Sequence, residues 1–294
     1  MIRTLAVGAI LICGCEKHAD EAAPPPPAPA PALAPVAADA AVVTADAGPP
    51  RGELVVTASA PRPGTSSIIT FDAKVDFDLN FGGLAIVTAS KQSKKKTVEI
   101  VAVDPDGTVH KRITYTKRDT NIVVDGQRKP DPSPVRGKTF RLTVKDGNIV
   151  DVKRGDGKPA TEDEVSAVGK EEGQLQAPER LGSALAGLRL VEGEPFEVPL
   201  AAIEKMINGD YKPKRVVLTY RGKTAQGARI DAEAALANEE AGLKMYLDLT
   251  AELLVDPTGW CLSANVTGQV RAELNGTVVG SGAGTGAIAA TPLR

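Results

Sequence analysis

The sequence predicts a mainly β (α+β) protein: a large curved antiparallel sheet or half-barrel with a short helical insert. Three observations lead there. Long segments alternate apolar and polar residues, the pattern of strands with one buried face. Asp-Gly and Pro-Asp turn residues separate those segments. Only near residues 161–208 does the apolar spacing change to the helical pattern.

The first strand is "SIITFDAKVDFDLNF". Ile69, Phe71, Ala73, Val75, Phe77 and Leu79 alternate with Thr70, Asp72, Lys74, Asp76 and Asp78. "TVEIVAVDPDGTVHKRITY" reads as a hairpin turning at Asp104-Pro105-Asp106-Gly107. "NIVVDGQ" is a short strand and turn. "KTFRLTVKDGNIVDVKR" is a second hairpin, because Asp146-Gly147 suits a two-residue loop between alternating strands.

The insert opens with "ATEDEVSAVGKEEG", where Thr161 and Glu164 have capping-box spacing. In "APERLGSALAGLRL", Leu181, Leu185 and Leu188 fall on one helical face. In "PLAAIEKMINGD", Ile203, Met206 and Ile207 do so, and Asn208-Gly209 stops the helix. Strand patterns return as "KRVVLTYRG", "GARIDAEAAL", "GLKMYLDLTAELLVD", "GWCLSANVTGQVRAEL" and "GTVVGSGAGTGAI". Leu243, Met245, Leu247, Leu249, Ala251 and Leu253 alternate. The partner strand is expected to continue that face with Trp260, Leu262, Ala264 and Val266.

The chain before the sheet has a different character. Arg3 precedes an uncharged apolar run from Thr4 to Cys13. About ten such residues suit an export signal, whereas a membrane-spanning helix needs about twenty. Ile12-Cys13-Gly14-Cys15 then resembles the bacterial lipobox, with an aliphatic residue three before a cysteine and a small residue just before it. The resemblance implies that residues 1–14 are a signal peptide and that Cys15 is the lipidated first residue of the mature chain. A plain secreted protein and a Cys-x-Cys thiol site are the alternatives. The second needs further ligands, and the next cysteine is Cys261.

Residues 15–50 are mostly Ala and Pro with scattered Asp. They are expected to form a disordered tether, and residues 51–294 the folded domain. Long alternating strands, "GKTFRLTVKDGNIVDV", a central helical stretch and a closing strand meander on a lipidated tether resemble bent-sheet half-barrel lipoproteins of the periplasmic lipoprotein-carrier type. This implies a lipid-anchored protein of the cell envelope, at the outer membrane facing the periplasm. It implies no functional residue beyond Cys15.

Candidate chemistry is sparse. Histidine occurs only at His18 and His110, too few for a His-rich metal site, and any Ser-His-Asp triad would have to use His110. Cys261 with His110 could in principle form a nucleophile pair, yet Cys261 sits in an alternating strand and reads as small filler. "GSGAGTG" at 280–286 lacks the Lys-Ser/Thr of a phosphate loop and reads as a Gly-rich edge strand. "DPDG" at 104–107 lacks the later ligands of a calcium loop. Asp72, Asp76 and Asp78 read as a solvated strand face. Lys91, Lys94, Lys95 and Lys96 read as a basic hairpin tip, solubilising or in contact with anionic lipid heads.

One Trp, four Tyr and five Phe give few stacking platforms, and the formal charge is −2. Both observations disfavour nucleic acid as a partner. No cofactor is called for. The expected function is a non-enzymatic binding or structural module, joined to the membrane through lipid on Cys15, holding a hydrophobic ligand in the sheet's concavity. An envelope hydrolase with an unrecognised site and a protein–protein assembly partner are the alternatives.

Overall fold

A computed structural model of the chain describes residues 52–57, 61–81, 84–129, 133–173, 186–204, 211–240, 242–256 and 259–293. The expected signal segment, Cys15, His18 and the Ala/Pro stretch expected to be a tether lie outside the described residues.

After the short strand β1 (Glu53–Val55), the predicted alternation produces β2 (Ser66–Phe81). Ile69, Phe77 and Leu79 are buried, while Asp72, Lys74, Asp76 and Asp78 are exposed. β3 (Leu84–Val103) and β4 (Val109–Val124) form the hairpin around Asp104–Gly107, where the Gly107 N–H donates to the Asp104 carbonyl at 2.9 Å. β5 (Gln127–Lys129) returns along β4 after Asp125-Gly126, and β6 (Thr139–Lys145) and β7 (Asn148–Arg154) form the next hairpin. Asp125 and Asp146 both have φ 51°, and Gly126 and Gly147 have φ 75° and 76°. Two consecutive left-handed residues are what a tight hairpin needs to match strand twist.

The insert is only partly helical. α1 (Glu162–Gly173) starts at the predicted capping box: Glu164 N–H donates to Thr161 Oγ1 at 3.3 Å, and Thr161 N–H to Glu164 Oε2 at 2.9 Å. Leu181 and Leu185 lie outside the described residues. Leu188 is not helical; it precedes β8 (Arg189–Val191), whose Leu190 is fully buried. β9 (Pro195–Glu197) and α2 (Leu200–Glu204) follow. Ile203 of α2 is buried as its spacing predicts, while Met206 and Ile207 lie outside the described residues.

The second half is a meander of β10 (Lys212–Lys223), β11 (Ala228–Glu240), β12 (Leu243–Val255), β13 (Cys261–Leu274) and β14 (Thr277–Leu293). The sheet has twelve strands in the order β7-β6-β4-β3-β2-β14-β13-β12-β11-β10-β9, with β5 added to β4. Its ladders are all antiparallel. β7 and β9 end the order without pairing to each other, so the sheet is open. β1 and β8 form a separate two-stranded ladder. No described helix is long and apolar enough to cross a membrane.

The glycine-rich strand is central, contrary to the edge position expected from its composition. β14 pairs with β13 on one side and β2 on the other, joining the two meanders. Glycine suits this position because neighbouring side chains lie over its backbone. A Cβ on Gly280 would stand 2.8 Å from the Asp78 carbonyl oxygen and 2.9 Å from Leu79 Cδ1, and one on Gly282 would meet the Asp76 carbonyl oxygen and stand 2.8 Å from Phe77 Cδ2. A second correction concerns β13. The ladder shifts register between Leu254 and Val255, opposite Ser263 and Cys261. Cys261 and Ala264 are thereby buried, and the expected continuous Trp260–Leu262–Ala264 face is broken.

Candidate functional site

The inner face of the sheet carries three apolar clusters. The first joins β10–β13 to β8, α2 and Val56, through Leu190, Ile203, Leu218, Ile230, Val255 and Cys261 among others. The third joins β2, β3, β4 and β6 to α1, through Ile69, Val98, Ile113, Phe140 and Val168 among others. The second lies between them in the strand order. It holds Phe77, Leu79, Ile86, Leu236, Met245, Leu247, Val270 and Ala272, all from strands. Among the described residues, neither helix contributes to it. Leu247 is 2% exposed, so the alternating apolar face of β12 is buried as its pattern predicts.

Between apolar stretches, the inner face of β3 is polar. Thr88, Ser90, Gln92 and Lys96 are buried. The four lysines expected at a hairpin tip lie instead within β3, because that strand runs unbroken from Leu84 to Val103. Alternation turns Lys94 and Lys96 inward, while Lys91 and Lys95 are exposed. Two carboxylates at the C-terminal end of α1 meet the inward cations. Glu171 pairs with Lys94 at 3.2 Å and Arg118 at 2.7 Å, and Glu172 pairs with Lys96 at 2.7 Å. Tyr115 donates to Glu172 at 2.8 Å.

Burial alone would push the Glu171 carboxyl up, but Lys94 and Arg118 outweigh it and hold the group below its usual range. Burial raises the Tyr115 hydroxyl well above its ordinary value, reinforced by the Glu172 charge. At the other end of α1, Glu164 accepts from Arg154 at 2.9 Å and Lys138 at 2.8 Å, and these bonds hold its carboxyl at about 2. Helix α1 is therefore fixed to the sheet by ionic contacts at both ends and by Val168 between them. The sequence shows the lysines and the Glu171-Glu172 pair. Their partnership depends on strand register that residue types alone do not reveal.

The residues weighed for catalysis do not assemble. His110 Nε2 is 2.9 Å from Asp104 Oδ2, and its Nδ1 is 3.4 Å from Thr143 Oγ1. Both ion-pair partners are well exposed, with side-chain exposures of 38% and 48%. Cys261 is in the first cluster, with its Sγ–H donating to the Ser263 carbonyl at 3.3 Å. Burial pushes its thiol up to about 12, the opposite of an activated nucleophile. Asp106 takes part in its turn, accepting the Thr108 N–H at 3.0 Å and pairing with Lys145 at 3.1 Å. Of the three strand aspartates, Asp76 pairs with Lys74 at 2.6 Å on the exposed face. No group of three or more potential metal-ligating side chains occurs among the described residues.

One feature escaped sequence reading. A concavity of about 720 Å³ opens at the edge of β4, between the segment paired with β5 and the segment paired with β6. Lys91, Lys117, Arg118, Arg128, Lys129 and Arg136 line it, and among the described residues Asp119 is its one acidic residue. Its cations come from four separate stretches of chain, so no run in the sequence announces it.

No protein-family model matches the chain, and no curated protein does. Among solved structures, the chain is similar to lipovitellin, in a structure of lipid–protein interactions in that protein. The TM-score is 0.44 and the identity 13%, over 79% of this chain and 25% of that one. It is also similar to DynF from the dynemicin biosynthesis pathway of Micromonospora chersina. There the TM-score is 0.23 and the identity 7%, over 83% of this chain and 86% of that one. The chain thus spans about a quarter of the length of the lipovitellin chain.

Proposed function

We propose that this protein is a lipid-anchored, non-enzymatic module of the cell envelope, and that the inner face of its open sheet holds a hydrophobic ligand. Cys15 carries the anchor, and the Ala/Pro segment lets the domain stand off the membrane. The setting is the periplasmic side of the outer membrane. The observation that carries the ligand reading is the second cluster. It is an apolar cluster of buried side chains, mostly aliphatic, built from β2, β3, β11, β12 and β13, with no helix from the described residues in it. An open sheet can widen along such a face without breaking a closed ring of hydrogen bonds, and aliphatic side chains suit an acyl chain.

Titration of the full chain with cis-parinaric acid tests this reading. Saturable fluorescence enhancement, reversed by palmitate, is expected. Absence of saturable enhancement would overturn the ligand assignment.

A further inference from the structure

We propose that the basic concavity at the edge of β4 binds a phosphate-bearing anion of at least two negative charges. The inference rests on charge balance and cavity shape, independently of the hydrophobic ligand.

Cross-strand register supplies the first support. Lys94 stands directly opposite Arg118, and Lys95 directly opposite Lys117, in the β3–β4 ladder. Like charges at such positions repel. The protein neutralises the inward pair itself: Glu171 bridges Lys94 and Arg118. On the exposed side the balance differs. Asp119 lies 4.0 Å from Lys117 and 3.2 Å from Arg136, so one carboxylate serves two cations. Lys91 and Arg128 share that face by register, Lys129 stands on the other face opposite Ile122, and all three are exposed and make no ion pair among the described residues. The concavity therefore gathers more positive charge than the described chain compensates.

Its form supplies the second support. A volume of about 720 Å³ falls in the ordinary range for small-molecule sites, roughly 300–1,000 Å³. Of its arginines, Arg118 is held by Glu171 and Arg136 by Asp119, while Arg128 has a planar guanidinium that can donate two parallel hydrogen bonds to phosphate oxygens. Ser93 and Asn121 add neutral polar groups to the lining. A compact oligo-anion can meet several of these cations within one concavity, whereas an extended acidic peptide would spread its charges along the strand. A phospholipid headgroup and a soluble phosphate ester share this chemistry.

Calorimetric titration of the full-length chain with inorganic pyrophosphate tests the proposal at about 150 mM salt, where exposed charges beyond about 8 Å are screened. Saturable binding is expected, weakened about tenfold or more by Arg128→Gln with Lys129→Gln, since each removes a charge-assisted hydrogen bond. These exposed side chains have no ion pair to lose among the described residues, so the circular dichroism spectrum should not change. Lys212→Gln, on an exposed β10 residue that does not line the concavity, should leave affinity unaltered. Absence of binding, equal affinity in the double variant, equal weakening by Lys212→Gln, or tighter binding of an Asp/Glu-rich peptide would each overturn the proposal. Flotation of the Cys15→Ala chain distinguishes the two sources. Retention on phosphatidylcholine vesicles containing about 20% phosphatidylglycerol, absent on phosphatidylcholine alone and lost in the double variant, assigns a headgroup. Pyrophosphate binding without retention assigns a soluble phosphate ester.

Discussion

Gly282 and Phe77 are cross-strand partners, and the Phe77 ring occupies the space that a side chain on residue 282 would need. The same substitution should therefore have unlike effects along one strand. At Gly282 a Cβ would meet the Asp76 carbonyl oxygen and stand 2.8 Å from Phe77 Cδ2. At Gly286 the nearest atom is the Asp72 carbonyl oxygen at 3.8 Å, an ordinary contact. Gly282→Ala should destabilise the domain by about 1–3 kcal/mol through overpacking. Gly286→Ala should change stability by about 0.5 kcal/mol or less. Denaturant unfolding of both variants checks the pair; equal effects would show that β2 does not crowd the β14 backbone at residue 282.

Glu164 should contribute to acid sensitivity. Hydrogen bonds from Arg154 and Lys138 hold its folded-state carboxyl at about 2, against about 4.3 for an unperturbed Glu. Its folded-state value is the lower one. The contribution is therefore complete above the unfolded value and is lost as pH falls from there towards about 2. Glu164→Gln keeps an acceptor for the Thr161 N–H but removes the charge that Arg154 and Lys138 meet; it should lower stability at neutral pH by about 1 kcal/mol or less and should flatten the acid limb. Unfolding midpoints from pH 7 down to about 2 read both effects. Parallel acid limbs in the two proteins would contradict this account of the α1 anchor.

Much of the sheet was legible because one-sided burial writes itself as alternation. β2, the β6–β7 hairpin and β12 all follow their residue patterns, and Asp146-Gly147 marks its turn unaided. The failures share a physical cause: local composition does not fix position within the sheet. The glycines of β14 look like those of a loose edge, yet they sit where Leu79 and Phe77 cross a central strand. Lys94 and Lys96 look like part of a solvated tip because sequence does not show that Glu171 and Glu172 return from α1 to meet them. A bulge that exchanges faces, as at Val255 opposite Cys261, likewise leaves no compositional mark. The basic concavity was the least legible feature, since β3, β4, β5 and the segment carrying Arg136 each contribute part of it.

The proposed lipidation of Cys15 makes a prediction about mass and partition. Intact-mass analysis of protein extracted from membranes should show a chain beginning at Cys15 with two or three acyl additions, because stable anchoring needs more than one chain. Cys15→Ala should leave the protein soluble or unprocessed. An unmodified mature terminus elsewhere would contradict the anchor.

Leu247 tests the polarity of the sheet. It belongs to the second cluster and is 2% exposed, whereas Asp248, the next residue, already carries a carboxylate on the exposed face. Leu247→Asp should abolish cooperative unfolding and the native circular dichroism spectrum, since an unpaired buried carboxylate costs several kcal/mol. A native-like variant that no longer gives saturable cis-parinaric acid enhancement would show that this side chain lines the ligand site rather than the core, and one unchanged in both would show that it faces neither.

Native mass spectrometry of the full-length protein, released gently from the membrane, tests the central claim most directly. The proposed binding function predicts a population heavier than the covalent chain by one fatty acid or phospholipid. Collisional activation should remove that added mass while leaving the acyl groups on Cys15. A single bare species, unchanged after incubation with palmitate, would contradict the assignment of the inner sheet face as a hydrophobic-ligand site.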